Sequence, residues 1–166
     1  MNQDDTQRKS ISQLVELLGL HKHSTLRVGF TGPRISMQEE QRRSLEELLQ
    51  SLACVESAHH GDCVGADTEF HEICLQLQMP VVVHPPKKAE FRSYCQGYSQ
   101  THKEKGFLVR NKAIVESVDL LVAAPRSAQE VQRSGIWSTI RHARKTQTMV
   151  LLVLPNGQIN RDEAAS

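Results

Sequence analysis

The chain has little aromatic surface, with one Trp, two Tyr and four Phe among 166 residues. That leaves few platforms on which single-stranded bases can stack. It has no dominant sign of charge either: 19 Asp plus Glu face 20 Lys plus Arg, a formal net charge of +1. No overall field therefore draws it to nucleic acid or anionic lipid, and double-stranded nucleic acid is not an expected partner. No apolar run reaches the roughly 18 residues that a membrane span needs, and the start, MNQDDTQRKS, lacks the apolar stretch of a secretion signal. A soluble, cytoplasmic protein without a membrane partner is expected. Cys54, Cys63, Cys74 and Cys95 stand 9, 11 and 21 residues apart with no CxxC pair, which argues against a disulfide scaffold or a zinc ribbon. No metal and no cofactor are expected.

What is present is an alternation of short apolar runs with amphipathic stretches. LRVGFT (26–31), CVESAH (54–59), PVVVHPP (80–86), DLLVAAP (119–125) and MVLLVLP (149–155) read as strands. Between them lie the helical patterns of 36–52, 68–78, 107–118 and 135–145. Ser36 with Glu39 three residues on predicts a capping box for the first of these. Residues 87–105 are polar and read as a long excursion with at most one short helix. The expected fold is α/β, a Rossmann-like three-layer sandwich with a five-stranded, mainly parallel sheet. Residues 1–25 are expected to form an N-terminal helical extension, 26–155 the α/β domain and 156–166 a flexible C-terminal tail. The stripe of Ile11, Leu14, Val15 and Leu18 either covers the chain's own sheet or offers a homodimer surface.

Parallel sheets of this kind bind ligands at the carboxyl ends of the strands, where strand order reverses. With the first and fourth strands as neighbours, three glycine-bearing turns line that crevice and can aim N–H groups at an anion, phosphate above all. The first is Gly32-Pro33-Arg34, with Arg34 as a fork-shaped donor. The second lies in HHGDCVGAD, residues 59–67, where Gly61 and Gly65 let the backbone wrap, Asp62 sits between them, and Asp67 caps the next helix or locks the loop. A metal reading of its histidines, aspartates and cysteine fails on ligand spacing, so Cys63 and His59 are expected to be packing residues. The third is SGIWST, with Ser134 and Gly135 opening the turn, Ser138 and Thr139 offering hydroxyls, and Trp137 either stacking on a base or packing in the core. Arg110 and Asn111 precede the buried face of their helix and can reach over the crevice.

GFTGPR, HGDCVGAD, RNKAIVESVDLLVAAP and SGIWSTIRHARK, taken in order over residues 26–155, resemble the SLOG superfamily. These are the Rossmann-like domains that include LOG-type proteins, DNA-processing protein A and small stand-alone nucleotide sensors. The resemblance implies a nucleotide or nucleotide-derived ligand held by Gly32, Arg34, Gly61, Gly65, Asp67, Arg110, Gly135 and Thr139. LOG-type phosphoribohydrolases carry a catalytic glutamate in PGGxGTxxE, and this chain reads APRSAQEVQRSGIWST instead. Thr139 stands where that glutamate belongs. The turn is closer to the stand-alone members with a G-T-W turn, so a ligand sensor or carrier is the leading expectation. A LOG-like nucleoside 5′-monophosphate N-glycosidase using Arg110 with Glu130 or Asp62 is the alternative. Single-stranded DNA binding through Lys87, Lys88 and Arg92 is the third reading.

Overall fold

The computed structural model describes residues 3–22 and 25–163. Residues 1–2, 23–24 and 164–166, which belong to the expected extension and tail, lie outside the described residues. In chain order the elements are α1 (Gln3–Leu17), β1 (Leu26–Thr31), α2 (Glu39–Ser51), β2 (Val55–His60), α3 (Ala66–Gln76), β3 (Val81–Val83) and β4 (Gln100–Thr101). They continue with α4 (Phe107–Glu116), β5 (Leu120–Ala123), α5 (Gly135–Lys145), β6 (Met149–Val153) and β7 (Ile159–Arg161). The strands form one sheet in the order β4-β3-β2-β1-β5-β6-β7. All neighbours are parallel except β6 and β7. From β1 the chain moves outward through β2, β3 and β4, then returns to place β5 on the other side of β1, with Gly29 beside Leu121 and Thr31 beside Ala123. The reversal that creates a binding crevice therefore lies between β1 and β5, as the sequence predicts.

Seven strands replace the expected five. β4 was hidden because Gln100 and Thr101 are both exposed and carry no apolar alternation. Its position follows from the free edge of β3, which pairs Val82 with Gln100 and Val83 with Thr101. β7 lies in the stretch expected to be a flexible tail. Its signal is the Asn156-Gly157 dipeptide, a hairpin turn in which Gly157 has φ 85° and donates to the Leu154 carbonyl. Arg144 then grips Asp162 through two bonds of 2.8 and 3.0 Å and fixes the far end of the strand.

β3, β5 and β6 are buried on both faces, which is why these runs are continuous rather than alternating. Leu120 and Val122 of β5, with Leu151 and Val153 of β6, join the core built with α1, α2 and α3. Leu121, Ala123, Val150 and Leu152 point the opposite way, into the core under α4 and α5. Ile11 and Val15 are buried in the first of these cores, so that part of the N-terminal stripe packs within the chain's own fold, against α2. The capping box at Ser36 does not form. Helix α2 starts at Glu39 behind Gln38, which makes no side-chain cap bond. The Met37 N–H donates instead to Glu69 Oε2 of α3 at 2.8 Å, so a tertiary carboxylate takes the donor that a local cap leaves open.

Candidate functional site

A cavity of about 470 Å³ opens at the carboxyl ends of β1 and β5. Of the residues expected there from sequence, Gly32, Pro33, Arg34, Gly61, Asp67, Arg110, Asn111, Ser134 and Gly135 line it. Arg126 and Arg133, within the 125–139 stretch expected at the crevice but not singled out there, line it too, as does Phe107, which the sequence did not indicate. Arg126 follows shortly after the end of β5, and Arg133 precedes the cap of α5. The signal was their place beside the two turns, and both are exposed residues of the lining.

Five expected residues sit elsewhere. Asp62 is buried in the left-handed region (φ 52°), with Oδ1 accepting the Cys95 N–H at 2.9 Å and Oδ2 accepting from Arg92 Nε at 2.8 Å. It anchors the 87–105 excursion rather than facing the cavity. Gly65, at φ 90°, lets the Arg34–Ile35 backbone lie against the start of α3, where a Cβ would come within 2.3 Å of the Arg34 carbonyl carbon. Trp137 is core, packed with Ile136, Ile140 and Leu121. Thr139 is buried and its hydroxyl donates back to the Gly135 carbonyl at 2.8 Å. Ser138 continues the helix, its N–H donating to the Ser134 carbonyl at 2.8 Å, and it does not line the cavity.

The HHGDCVGAD turn uses four of its N–H groups within the fold. Asp62 N–H donates to His60 Nδ1 at 3.0 Å, Cys63 N–H to Asp67 Oδ2 at 3.1 Å, Val64 N–H to the Phe91 carbonyl at 3.0 Å and Ala66 N–H to the Pro33 carbonyl at 3.0 Å. These four donors hold the loop and are not free for an anion. The turn's contribution is space. At Gly61 a Cβ would lie 1.2 Å from Arg110 Nη1, so the glycine is what lets the guanidinium lie over the backbone. At α5 the expected arrangement holds: Ser134 Oγ accepts the Trp137 N–H at 3.4 Å, and the backbone at Gly135 is open, since a Cβ added there would meet nothing within 4 Å.

Arg110 is 6% exposed, yet its guanidinium is poorly partnered. Its nearest carboxylate oxygen, Asp67 Oδ2, is 3.9 Å away, beyond hydrogen-bond length. Nη2 reaches only the Cys63 sulfur, at 3.5 Å, and Nε is buried with no partner. Burial pushes the Asp67 carboxyl up to about 6, against the pull of Arg110 and of the backbone N–H of Cys63. Burial also raises the Cys63 thiol, with the Asp67 charge adding to it and Arg110 opposing. A protonated thiol in a tight turn is a packing group, as expected. The cavity lining thus carries four arginines, Arg34, Arg110, Arg126 and Arg133, against one carboxylate, Asp67. A strongly positive lining in a chain of net charge +1 is a local device for an anion.

Neither carboxylate proposed for glycosidic cleavage faces this lining. Glu130 accepts from Arg141 Nη1 at 2.9 Å and Arg144 Nη1 at 2.8 Å, and these bonds hold its carboxyl below the usual range. Asp62 is bound as described above. The histidines are also accounted for. Because His60 Nδ1 accepts from Asp62 N–H, its Nε2 carries the proton and donates to His71 Nδ1 at 2.9 Å. His71 Nε2 then donates to the Gln96 carbonyl at 2.7 Å. His60, His71 and Cys95 do converge, but a metal on His60 Nε2 would force a proton onto Nδ1, directly against the Asp62 N–H. His60 is buried and held far below its usual range by that burial, with His71 and Arg110 adding to it, so its ring is neutral.

No protein-family model matches the chain, and no curated protein matches it in sequence. Solved structures do. The molybdenum cofactor binding protein of Rippkaea orientalis superposes with a TM-score of 0.61 at 18% identity, over 78% of this chain and 77% of that one. DNA processing protein A of Streptococcus pneumoniae gives 0.56 at 20% identity, over 81% of this chain and 52% of that one. The Helicobacter pylori protein of the same name, described for its single-stranded DNA binding mode, gives 0.54 at 18% identity, over 82% and 67%. The α/β fold expected from the sequence is therefore shared with these structures. Among the described residues no helix is long and apolar enough to cross a membrane.

Proposed function

We propose that the β1–β5 cavity binds a phosphate-bearing nucleotide or nucleotide-derived molecule, and that the protein acts as a sensor or carrier of it. One observation carries this reading: Arg110 is a buried guanidinium whose Nε has no partner and whose nearest carboxylate stands at 3.9 Å. Burying a charge is costly unless hydrogen bonds satisfy it. A ligand anion at this position supplies the missing acceptors in the bidentate form that guanidinium favours. The open N-terminus of α5 and the flanking Arg126 and Arg133 give the same anion, or a second one, further donors. Neighbours of the same fold include a cofactor-binding and a DNA-binding protein, which supports ligand binding on this scaffold in general.

The glycosidase alternative loses both of its named acids, since Glu130 and Asp62 are engaged by arginines outside the cavity. The DNA reading loses Arg92, which is divided between Asp62 and Glu104 at 2.8 Å each. The test is calorimetry with purine nucleoside mono- and diphosphates on the wild type and on Arg110→Gln. A charge-assisted hydrogen bond contributes about 1.5–3 kcal/mol, so Arg110→Gln should weaken binding by about 10- to 150-fold. Equal affinity in the two proteins would sink the proposal.

A further inference from the structure

Phe91 and Phe107 form an aromatic notch beside the cavity. Their ring centroids are 5.8 Å apart and their planes meet at 61°. Phe107 opens α4 and lines the cavity, while Phe91, outside that lining, is brought against Phe107 by the polar excursion of 87–105. Both rings are half-buried, and what covers their facing surfaces is the guanidinium of Arg34, 4.2 Å from each centroid. Arg34 is exposed and makes no hydrogen bond or ion pair to another described residue. Aromatic contact is therefore its attachment to the rest of the fold, a hold worth little at an exposed position.

A guanidinium and a nucleobase are both planar, delocalised and suited to stack on an aromatic face. The notch also has the right neighbour. Arg110 is three residues beyond Phe107 on α4, hence on the same helix face, with its guanidinium carbon 5.8 Å from the Phe107 centroid. The aromatic faces and the orphaned cation thus adjoin at one end of one helix, and a base joined to a phosphate spans both. Accepting the phosphate reading above, we infer that this notch is the base subsite and that Arg34 is its occupant in the free protein. On binding, the base stacks against Phe107 and Phe91 while Arg34 leaves the rings and turns to the phosphate end of the ligand. The ligand class is accordingly a nucleotide with a planar heteroaromatic ring, rather than a sugar phosphate or a free polyphosphate.

The experiment compares adenosine 5′-monophosphate with ribose 5-phosphate by calorimetry at fixed pH and salt. Stacking of one base on an aromatic side chain is sizeable, so the nucleotide should bind about tenfold or more tightly than the sugar phosphate in the wild type. Phe107→Leu and Phe91→Leu should each lower that ratio while leaving ribose 5-phosphate binding intact, and Phe107→Tyr should keep it. Arg34→Ala should weaken both ligands and preserve the ratio, because it empties the notch without removing the rings. A wild-type ratio near one, or an undiminished ratio in both leucine variants, would overturn the base subsite while the phosphate reading stands. Failure of both compounds to bind the wild type would overturn both readings together. Melting curves of each variant identify any loss that comes from misfolding, and the Phe107→Tyr protein then decides the matter.

Discussion

Gly61→Ala isolates the steric basis of the site. Gly61 does not adopt a positive φ, so alanine is allowed by its backbone and the added methyl is the whole perturbation. Its Cβ would lie 1.2 Å from Arg110 Nη1, 2.4 Å from Cζ and 2.9 Å from Asp67 Oδ2. The guanidinium has to leave, since the atoms it overlaps are the head group itself. Overpacking of this kind costs about 1–3 kcal/mol, which for a chain of this size lowers the melting temperature by roughly 2–12 °C. Displacing Arg110 also removes the cation that meets the ligand, a loss of about 10- to 150-fold in affinity. Thermal unfolding and calorimetry with a nucleoside monophosphate measure the two effects on the same sample. A folded Gly61→Ala protein that binds as the wild type does would refute the reasoning, because it would mean that Arg110 does not need its seat over Gly61 to act. Gly135→Ala is the matched control, with nothing within 4 Å of its Cβ, and should leave melting and binding nearly unchanged.

Asp67 gives a pH dependence with a definite sign. Its carboxyl is raised to about 6 from 3.8, so the stability contributed by the protonated form is complete below about pH 4 and is lost as pH rises through about 6. The same proton removes the charge that competes for Arg110, so affinity for inorganic sulfate, whose charge is fixed over this range, should rise as pH falls from 7 to 5. In Asp67→Asn that slope should vanish, and a slope equal to the wild type's would contradict the assignment. Gly65→Ala combines a φ of 90° with a Cβ 2.3 Å from backbone. It should destabilise by several kcal/mol, visible as a large drop in the urea midpoint, where an unchanged midpoint would be a clear failure. Trp137→Ala should cost about 3–5 kcal/mol as a buried aromatic and leave the ligand affinity of the folded fraction intact. Loss of affinity without loss of stability would restore Trp137 to the site. Glu130→Gln should not alter binding, since its carboxylate serves Arg141 and Arg144.

The strand-helix alternation was legible because a sheet covered on both faces leaves continuous apolar runs such as Leu120–Ala123 and Met149–Val153. The adjacency of β1 and β5 followed from the same alternation. The short edges β4 and β7 were not legible from hydrophobicity, since Gln100, Thr101, Asn160 and Arg161 are exposed; only the Asn156-Gly157 turn announced β7. Motif order brought Gly32, Arg34, Gly61, Asp67, Arg110 and Ser134 correctly to one cavity. What it did not give was the use each group is put to. HHGDCVGAD read as a donor-rich turn because the partners of backbone N–H groups are invisible in a sequence, and in the fold His60, Asp67, Phe91 and Pro33 take four of them. Asp62 and Arg92 stand thirty residues apart and pair across the excursion at 2.8 Å, a contact that no local pattern encodes. The Phe91–Phe107 notch is of the same kind.

The central claim is that the orphaned guanidinium of Arg110 meets the ligand's phosphate, and the Nε–H resonance of Arg110 reports on it directly. In ¹⁵N-edited spectra, assigned by its loss in Arg110→Lys, this signal should shift and become protected from solvent exchange on titration with adenosine 5′-monophosphate, at the same concentration at which calorimetry shows binding. A resonance that neither moves nor gains protection while the nucleotide binds would place the anion elsewhere and contradict the account.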